Sequence, residues 1–139
     1  MNSSAETGWI VDASVALKWF LPANLETDAD IAREMIGRVG LRTTSLAFYE
    51  VGNRLARAAG LEPEDVASSL SFMDEICGPP VELIATDFAA SASLANQHGI
   101  TFYDASYVAI ARRLNRVVPS ADSHLLRPGL AQSLAAVRD

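Results

Sequence analysis

The sequence predicts a single α/β domain in which a central, mostly parallel sheet is flanked by helices on both faces. Three observations support this prediction. The chain has 139 residues, an ordinary size for one compact domain. Half of its residues are hydrophobic, and no repeat, low-complexity tract or Pro/Gly-rich linker divides residues 1–139. Short apolar runs alternate with helical patterns, which is typical of β-α-β units and therefore of parallel strands.

The amino-terminal elements come first. Residues 1–8, MNSSAETG, are expected to form a polar tail. Residues 9–14, WIVDAS, are predicted as a strand that ends in a turn. The following run, ASVALKWF, is predicted as a mostly buried helix that Pro22 stops, because proline cannot continue a helix. Residues 27–39 are predicted as an amphipathic helix.

The middle of the chain continues the alternation. Residues 41–45, LRTTS, are predicted as a weak short strand, and residues 45–58 as a helix. Residues 62–65 place proline and acids where a first helical turn prefers them, so a helix is expected from there to about Cys77. Residues 81–87, VELIATD, are predicted as a clear strand.

The carboxyl-terminal elements complete the pattern. Residues 88–98 are predicted as a helix of small residues, and residues 101–104 lead into a helix over 105–115. Residues 116–122, RVVPSAD, are predicted as a strand, and residues 134–137 as an edge strand. In parallel sheets, ligands bind beyond the carboxyl ends of the strands. Residues at those ends are therefore the candidates for function.

Three aspartates occupy such positions. Asp12 closes the first predicted strand, Asp122 closes the last clear one, and Asp104 opens a helix. A helix N-cap is the simpler interpretation of each aspartate alone, because its carboxylate accepts backbone N–H bonds and suits the helix dipole. Capping does not exclude metal binding, but it requires no fourth carboxylate nearby.

Glu50 supplies that fourth carboxylate. It lies in the apolar stretch LAFYEV, where an acid is costly unless it has a partner. Helical spacing puts Asn53, Arg54 and Arg57 on the same stripe as Glu50. One interpretation is a solvent face with a Glu50–Arg54 pair. The other is that Glu50 faces a pocket, Asn53 supports it, and the two arginines lead outward to a phosphate backbone.

If the four acids converge, the chemistry is constrained. Carboxylate oxygens without histidine or thiol suit Mg²⁺ or Mn²⁺ rather than zinc. A bound cation neutralises the acids, lowers the pKa of a bound water and stabilises charge on a phosphoryl oxygen. Two cations about 4 Å apart could hold the attacking and leaving oxygens of an in-line displacement. The pattern thus indicates phosphodiester hydrolysis.

Net charge opposes this interpretation at first sight. The chain has 11 basic and 17 acidic residues, a formal charge of −6, and an acidic surface repels nucleic acid at long range. Part of the acidic excess belongs to the candidate site, and a bound cation would reverse the sign of the charge there.

Four short motifs, taken together, resemble those of the PIN-domain nucleases, and among them the VapC-type toxins of bacterial type II toxin–antitoxin systems. The motifs are Val11-Asp12-Ala13-Ser14, Glu50-Val51-Gly52-Asn53, Tyr103-Asp104-Ala105 and Ser120-Ala121-Asp122. Their order and spacing match across nearly the whole chain. The last motif more often reads Thr-x-Asp, so this chain departs from the usual pattern at Ser120.

The resemblance implies a Mg²⁺- or Mn²⁺-dependent endoribonuclease that acts on RNA. It also implies a cognate antitoxin and a homodimer. The metal-site acids that it implies are Asp12, Glu50, Asp104 and Asp122. Ser14 is implied as a helper beside the first strand, with Asn53 and Ser120 as further supporting residues.

Three other residues are assigned structural or surface roles. His98 ends a helix, and His124 follows Asp122 by two positions and could approach the pocket, but a structural or surface role is favoured for both. Cys77, the single cysteine, excludes an internal disulfide and is expected to be a buried thiol. No secretory signal and no membrane-spanning run is visible, so the cytoplasm is the expected location.

Two alternatives remain. A receiver-like signalling domain also gathers acids at strand ends, but it needs paired acids after the first strand and a lysine at the last strand. The sequence has no acid adjacent to Asp12 and no lysine after Lys18. The second alternative is a non-catalytic binding domain in which the acids are only helix caps.

Overall fold

A parallel sheet lies at the centre of the protein. The computed structural model describes residues 8–138, so the tail predicted over residues 1–8 lies outside the described residues except for Gly8. Strand β1 (Trp9–Ile10) pairs in parallel with β2 (Leu41–Arg42), with Trp9 opposite Leu41. Three isolated parallel bridges widen this sheet, joining Trp9 to Val117, Thr44 to Val81 and Pro119 to Gln132.

These pairings fix the order of chain segments across the sheet: residue 132, residues 117–119, β1, β2 and residue 81. Every pairing is parallel, as expected when helices connect the strands. The predicted α/β class with a central parallel sheet is confirmed.

Helices make up most of the remaining chain. The α-helices described within residues 8–138 are α1 (Ala13–Ala16), α2 (Ala29–Glu34), α3 (Ser45–Ala56), α4 (Pro63–Cys77), α5 (Ala85–His98), α6 (Phe102–Arg113), α7 (Ser123–Leu126) and α8 (Leu134–Arg138). A 3₁₀ turn, Leu17–Trp19, continues α1 up to the bend before Pro22. The helix predicted over 27–39 is shorter than expected, and the helix predicted over 105–115 begins three residues earlier.

Two predicted strands are wrong. In residues 81–87 only Val81 makes a sheet bridge, and α5 begins at Ala85 because the Asp87 carboxylate accepts the Ile84 N–H at 3.0 Å and turns the chain into a helix. Residues 134–137 lie in α8, whose first turn is capped by Ser133, which accepts the Ala136 N–H at 3.2 Å.

The strand predicted over residues 116–122 is present only as bridges. The Ile10 N–H donates to the Val117 carbonyl at 2.9 Å, and the Gln132 N–H donates to the Val118 carbonyl at 2.8 Å. Pro119 has no N–H, so a regular ladder is interrupted at that position. The segment still runs parallel to β1 and brings residues 120–122 beside the end of β1.

The core fixes the position of the end of β1. Ile10 and Val11 are fully buried, and the buried Thr43 hydroxyl donates to the Val11 carbonyl at 2.7 Å. Helix α6 packs against β1 and α5, and it contributes Ile110 to the main core. Asp12 therefore leaves the core at a defined place. No helix in the part of the chain that is described is both long and apolar enough to cross a bilayer.

Candidate metal centre

Asp12 follows β1 and is almost wholly buried, with 3% of its surface exposed. It is the N-cap of α1 and accepts the Val15 N–H at 3.2 Å. Its two carboxylate oxygens also accept the hydroxyls of Ser14 at 2.6 Å and Ser120 at 2.5 Å. The carboxylate is thus held both by its own turn and by a residue 108 positions later in the chain.

Burial governs the ionisation of Asp12. Desolvation raises its pKa to about 6, although the hydrogen bonds from Ser120, Ser14 and Val15 oppose this shift. The nearby charge of Asp122 raises the pKa further. At neutral pH this buried carboxylate is therefore largely ionised, and a nearby positive charge would stabilise the ionised form.

Ser14 and Ser120 join two segments that are more than 100 positions apart in the chain. The Ser14 hydroxyl accepts the Ala121 N–H at 2.9 Å, and the Ser120 hydroxyl accepts the Asp122 N–H at 2.9 Å. Each hydroxyl donates to Asp12, so each serine orients that carboxylate and the backbone of residues 121–122 together. This geometry is compatible with the supporting role predicted for both serines.

Glu50 lies half-buried in the middle of α3. The Tyr107 hydroxyl, from α6, donates to the Glu50 Oε1 atom at 2.5 Å. Burial raises the Glu50 pKa, the Tyr107 hydrogen bond lowers it, and the charges of Asp104 and Asp122 raise it further. The predicted alternative, a Glu50–Arg54 ion pair, is absent among the ion pairs of residues 8–138.

Asp104 and Asp122 lie close together, with an oxygen of each within 4.8 Å of the other. Asp104 is in the first turn of α6, which Thr101 caps by accepting the Asp104 N–H at 3.0 Å. Burial raises the Asp104 pKa, and the charge of Asp122 raises it further. Asp122 is the N-cap of α7 and accepts the His124 N–H at 2.9 Å. The cap interpretation therefore applies to Asp12 and Asp122 but not to Asp104.

The four predicted acids form one electrostatic cluster. The charge of Asp122 raises the pKa of Asp12, Glu50 and Asp104, so the four carboxylates influence one another electrostatically. Among the described residues, the ligand atoms that lie within 4.8 Å of one another belong to Asp104, Asp122 and His124, and Asp12 and Glu50 lie outside that closer group. Within residues 8–138, none of the four forms an ion pair with a lysine or an arginine. The cluster therefore lacks a fixed positive charge from those side chains.

Asp87 provides an internal comparison with Asp12, because the two aspartates are almost equally buried and Asp87 lies outside the cluster. Burial raises its pKa, but the Arg113 hydrogen bonds, the Ile84 N–H and the Arg113 charge bring the pKa below its ordinary value. Arg113 Nη2 lies 3.0 Å from Asp87. This chain thus neutralises Asp87, a buried structural acid, with an arginine. The four clustered acids have no such partner among the described residues, and their carboxylate oxygens are suitable ligands for a divalent cation.

Two residues of the site are missing from the sequence-based prediction. Tyr107 is one. The only hint of its role in the sequence is its hydroxyl on an otherwise apolar helix face, because a buried hydroxyl needs a hydrogen-bond partner. His124 is the other, because the sequence favours a structural or surface role for it. One of its ring nitrogens and one oxygen each of Asp104 and Asp122 lie within 4.8 Å of one another.

The predicted RNA-contacting residues lie further along α3. Asn53, Arg54 and Arg57 are exposed and, with Ala58, line a surface depression of about 330 Å³. None of the four acids lines this depression. The hydrogen bond that Glu50 accepts comes from Tyr107, while Asn53 remains on the open face of the helix.

The fold and the site define an α/β protein with a group of interacting carboxylates, suited to a cation, at and beyond the carboxyl end of its first strand. The chain belongs to the PIN domain family, whose model matches residues 9–129. The resemblance found in the four motifs is thereby confirmed, and the receiver-like alternative is contradicted.

Two proteins of Pyrobaculum aerophilum are similar to this chain. Ribonuclease VapC3 is 32% identical over 120 residues, which cover 84% of this chain and 90% of that protein. The crystal structure of PAE2754 matches with a TM-score of 0.65 and 26% identity, covering 94% of this chain and 93% of that one.

Proposed function

We propose that this protein is a divalent-metal-dependent endoribonuclease and the toxin of a toxin–antitoxin pair. The observation that carries the proposal is the cluster of four acids without a lysine or arginine partner among the described residues. Family membership and the similarity to a protein named Ribonuclease VapC3 support the choice of RNA as substrate.

In this proposal Asp12, Glu50, Asp104 and Asp122 hold Mg²⁺ or Mn²⁺. When bound, such a cation stabilises charge on a phosphoryl oxygen and makes water a better nucleophile at neutral pH. The side chains of this protein set the geometry. The serine hydroxyls fix the Asp12 carboxylate, and the Tyr107 hydroxyl fixes Glu50.

RNA positioning is assigned to the exposed end of α3. Arg54 and Arg57 line the same depression and carry positive charge on a protein whose formal charge is −6. Such side chains suit phosphate oxygens of a single strand. We assign to them a contact with the RNA backbone and no contact with the cation.

We assign the binding of protein partners to an apolar face next to Asp104. Phe88, Phe102 and Tyr103 are 54%, 43% and 62% exposed and line a cavity of about 410 Å³. Exposed aromatic side chains in one patch are typical of protein interfaces. A homodimer and a cognate antitoxin are both proposed as partners, and the cytoplasm as the location.

The test is incubation of the purified chain with end-labelled RNA. EDTA should abolish cleavage, and Mn²⁺ or Mg²⁺ should restore it. Asp12→Asn, Glu50→Gln and Asp104→Asn should each remove most activity and leave the circular dichroism spectrum unchanged, because a neutral amide is a poor ligand for a hard cation. Glu64→Gln, an exposed acid of α4, is the matched control. Undiminished cleavage in EDTA, or near-normal rates in two site variants, would contradict the proposal.

A further inference from the structure

His124 brings a nitrogen atom to a site predicted to contain only oxygens. Its Nδ1 atom lies 3.4 Å from the Asp122 Oδ1 atom. A ring nitrogen, an Asp104 oxygen and an Asp122 oxygen all lie within 4.8 Å of one another. These residues come from two different elements, the first turn of α6 and the start of α7 with its cap.

The spacing of these atoms suits ligands of one small cation. Ligands at about 2.1 Å from an octahedral ion are about 3.0 Å apart when adjacent and about 4.2 Å when opposite. The 3.4 Å between His124 Nδ1 and Asp122 Oδ1 lies inside this range, and the 4.8 Å that bounds all three separations is about 0.6 Å above it. The His124 side chain is 74% exposed, so a small rotation of its ring meets no packed neighbour.

The alternative for His124 is a hydrogen bond to Asp122, and the geometry disfavours it. A separation of 3.4 Å is long for an N–H···O bond, whose usual distance is about 2.9 Å. The Asp122 Oδ1 atom already accepts the backbone N–H of His124 at 2.9 Å. The hydrogen bonds within residues 8–138 leave Asp122 Oδ2 without a donor, which leaves that oxygen available to a cation.

We propose that His124 is a nitrogen ligand beside Asp104 and Asp122, and that it shifts the site's preference from Mg²⁺ toward Mn²⁺ and similar first-row transition ions. This inference rests on the proposed function, because it adds a ligand to the cation site of that nuclease. Mg²⁺ binds oxygen ligands almost exclusively, whereas imidazole is a good ligand for transition ions.

The chain offers a clean spectroscopic test, since its 139 residues include two histidines, His98 and His124. The probe is Mn²⁺ alone, added to the full chain without RNA. Electron spin-echo spectra should show coupling to an imidazole nitrogen in the wild type. His124→Ala should lose this coupling, and His98→Gln, the matched control, should retain it.

Affinities supply the second readout. His124→Ala should weaken Mn²⁺ binding about tenfold, which corresponds to about 1.4 kcal/mol of binding free energy. Mg²⁺ binding should change less than about twofold, because Mg²⁺ makes little use of nitrogen. Asp104→Asn, in contrast, should weaken the binding of both ions.

The outcomes separate this inference from the function on which it rests. If Mn²⁺ binds tightly without nitrogen coupling, or if His124→Ala weakens both ions equally, the inference is overturned and the carboxylate site stands. If Mn²⁺ does not bind the wild type at all, the inference and the proposed cation site fail together. Nitrogen coupling that disappears only in His124→Ala supports the inference.

Discussion

At the scale of single residues, Tyr107 connects the acidic cluster to the core. Its ring is buried, and burial and the Glu50 charge hold its pKa far above the ordinary range, so the hydroxyl stays protonated and acts as a donor. That donor lowers the Glu50 pKa. Tyr107 is therefore a positioning residue, since it acts on the site through Glu50.

Tyr107→Phe should lower cleavage about tenfold, the lower end of what losing an outer hydrogen-bond partner of a metal ligand costs. The midpoint of the acidic limb of the rate–pH profile should move to higher pH, because Glu50 loses the hydrogen bond that stabilises its charged form. Unfolding free energy should fall by about 1–3 kcal/mol. Rates between pH 5 and 8 and urea titrations measure both effects.

Tyr103→Phe is the control for this substitution, because it removes an exposed hydroxyl from the same helix. An unchanged pH profile in Tyr107→Phe would return Tyr107 to a purely structural role.

Asp12 makes a pH-dependent contribution to stability. Its pKa is about 6 in the folded protein against an ordinary 3.8, so the folded state binds its proton more tightly than the unfolded chain does. Stability therefore falls as pH rises from about 4 to about 6, by about 3 kcal/mol, since a tenfold change in proton affinity corresponds to about 1.4 kcal/mol. Burial and like charges at Glu50 and Asp104 act in the same direction.

The metal-free protein should thus resist urea better at pH 4.5 than at pH 7, and Asp12→Asn should remove most of this difference. Urea titrations at several pH values measure it. If the unfolding free energy of Asp12→Asn changed with pH as steeply as that of the wild type, the buried carboxylate would not be the cause of the pH dependence.

The residues that the sequence could and could not identify differ in a physical way. Glu50 is detectable because an acid inside an apolar run needs a compensating partner. Tyr107 and His124 are not detectable in this way, because an amphipathic ring is common in both buried and exposed positions. Only the folded structure assigns them to the site, through the hydrogen bond from Tyr107 to Glu50 and the closeness of His124 to Asp104 and Asp122.

At the scale of elements, α3 combines two surfaces. Glu50 is half-buried against Tyr107, while Arg54 and Arg57 are exposed beside a depression. One and two helical turns separate the acid from the arginines, so in the proposed function a strand of RNA that reaches the acids would pass along this helix.

Arg54→Ala and Arg57→Ala should weaken RNA binding without changing Mn²⁺ binding. Each lost phosphate contact should flatten the slope of log K against log salt by about 0.7 for single-stranded RNA. Binding titrations between 50 and 300 mM salt provide the measurement. Arg112→Ala, an exposed arginine of α6, should leave the slope unchanged. If both α3 variants keep the wild-type slope, the arginines belong to a solvated face.

Element boundaries show where local patterns mislead. Residues 81–87 alternate like a strand, but the Asp87 carboxylate caps the chain at Ile84 and a helix follows. Residues 134–137 are short and apolar, which does not distinguish a strand from a helical turn that packs one side inward. In contrast, α3, α4 and α5 are long enough for their periodicity to identify them.

At the scale of the whole molecule, repulsion among the four acids should lower the unfolding free energy of the metal-free protein. A ligand that binds only the folded protein stabilises it by about 2.7 kcal/mol at a hundredfold excess over its Kd. Saturating Mn²⁺ should therefore raise the melting temperature by about 8 °C. Asp104→Asn should melt higher than the wild type without metal, because one repulsive charge is gone, and should respond less to Mn²⁺.

Thermal melts of both proteins, with and without Mn²⁺, distinguish this model from one in which the acids are only structural. A wild type without any Mn²⁺ shift, together with an Asp104→Asn variant without metal-free gain, would contradict a converging pocket. Asp30→Asn, an exposed acid of α2, serves as the control.

The hydrogen bond between Ser120 and Asp12 spans 108 positions of the chain and has a consequence for biosynthesis. During translation residue 12 is made before residues 120 and 122, so its carboxylate has neither Ser120 nor Asp122 beside it until synthesis has passed residue 122. A nascent chain shorter than that therefore carries no assembled acidic cluster. Any truncation before residue 120 likewise yields an incomplete centre, so the cluster forms only once these two distant segments have met.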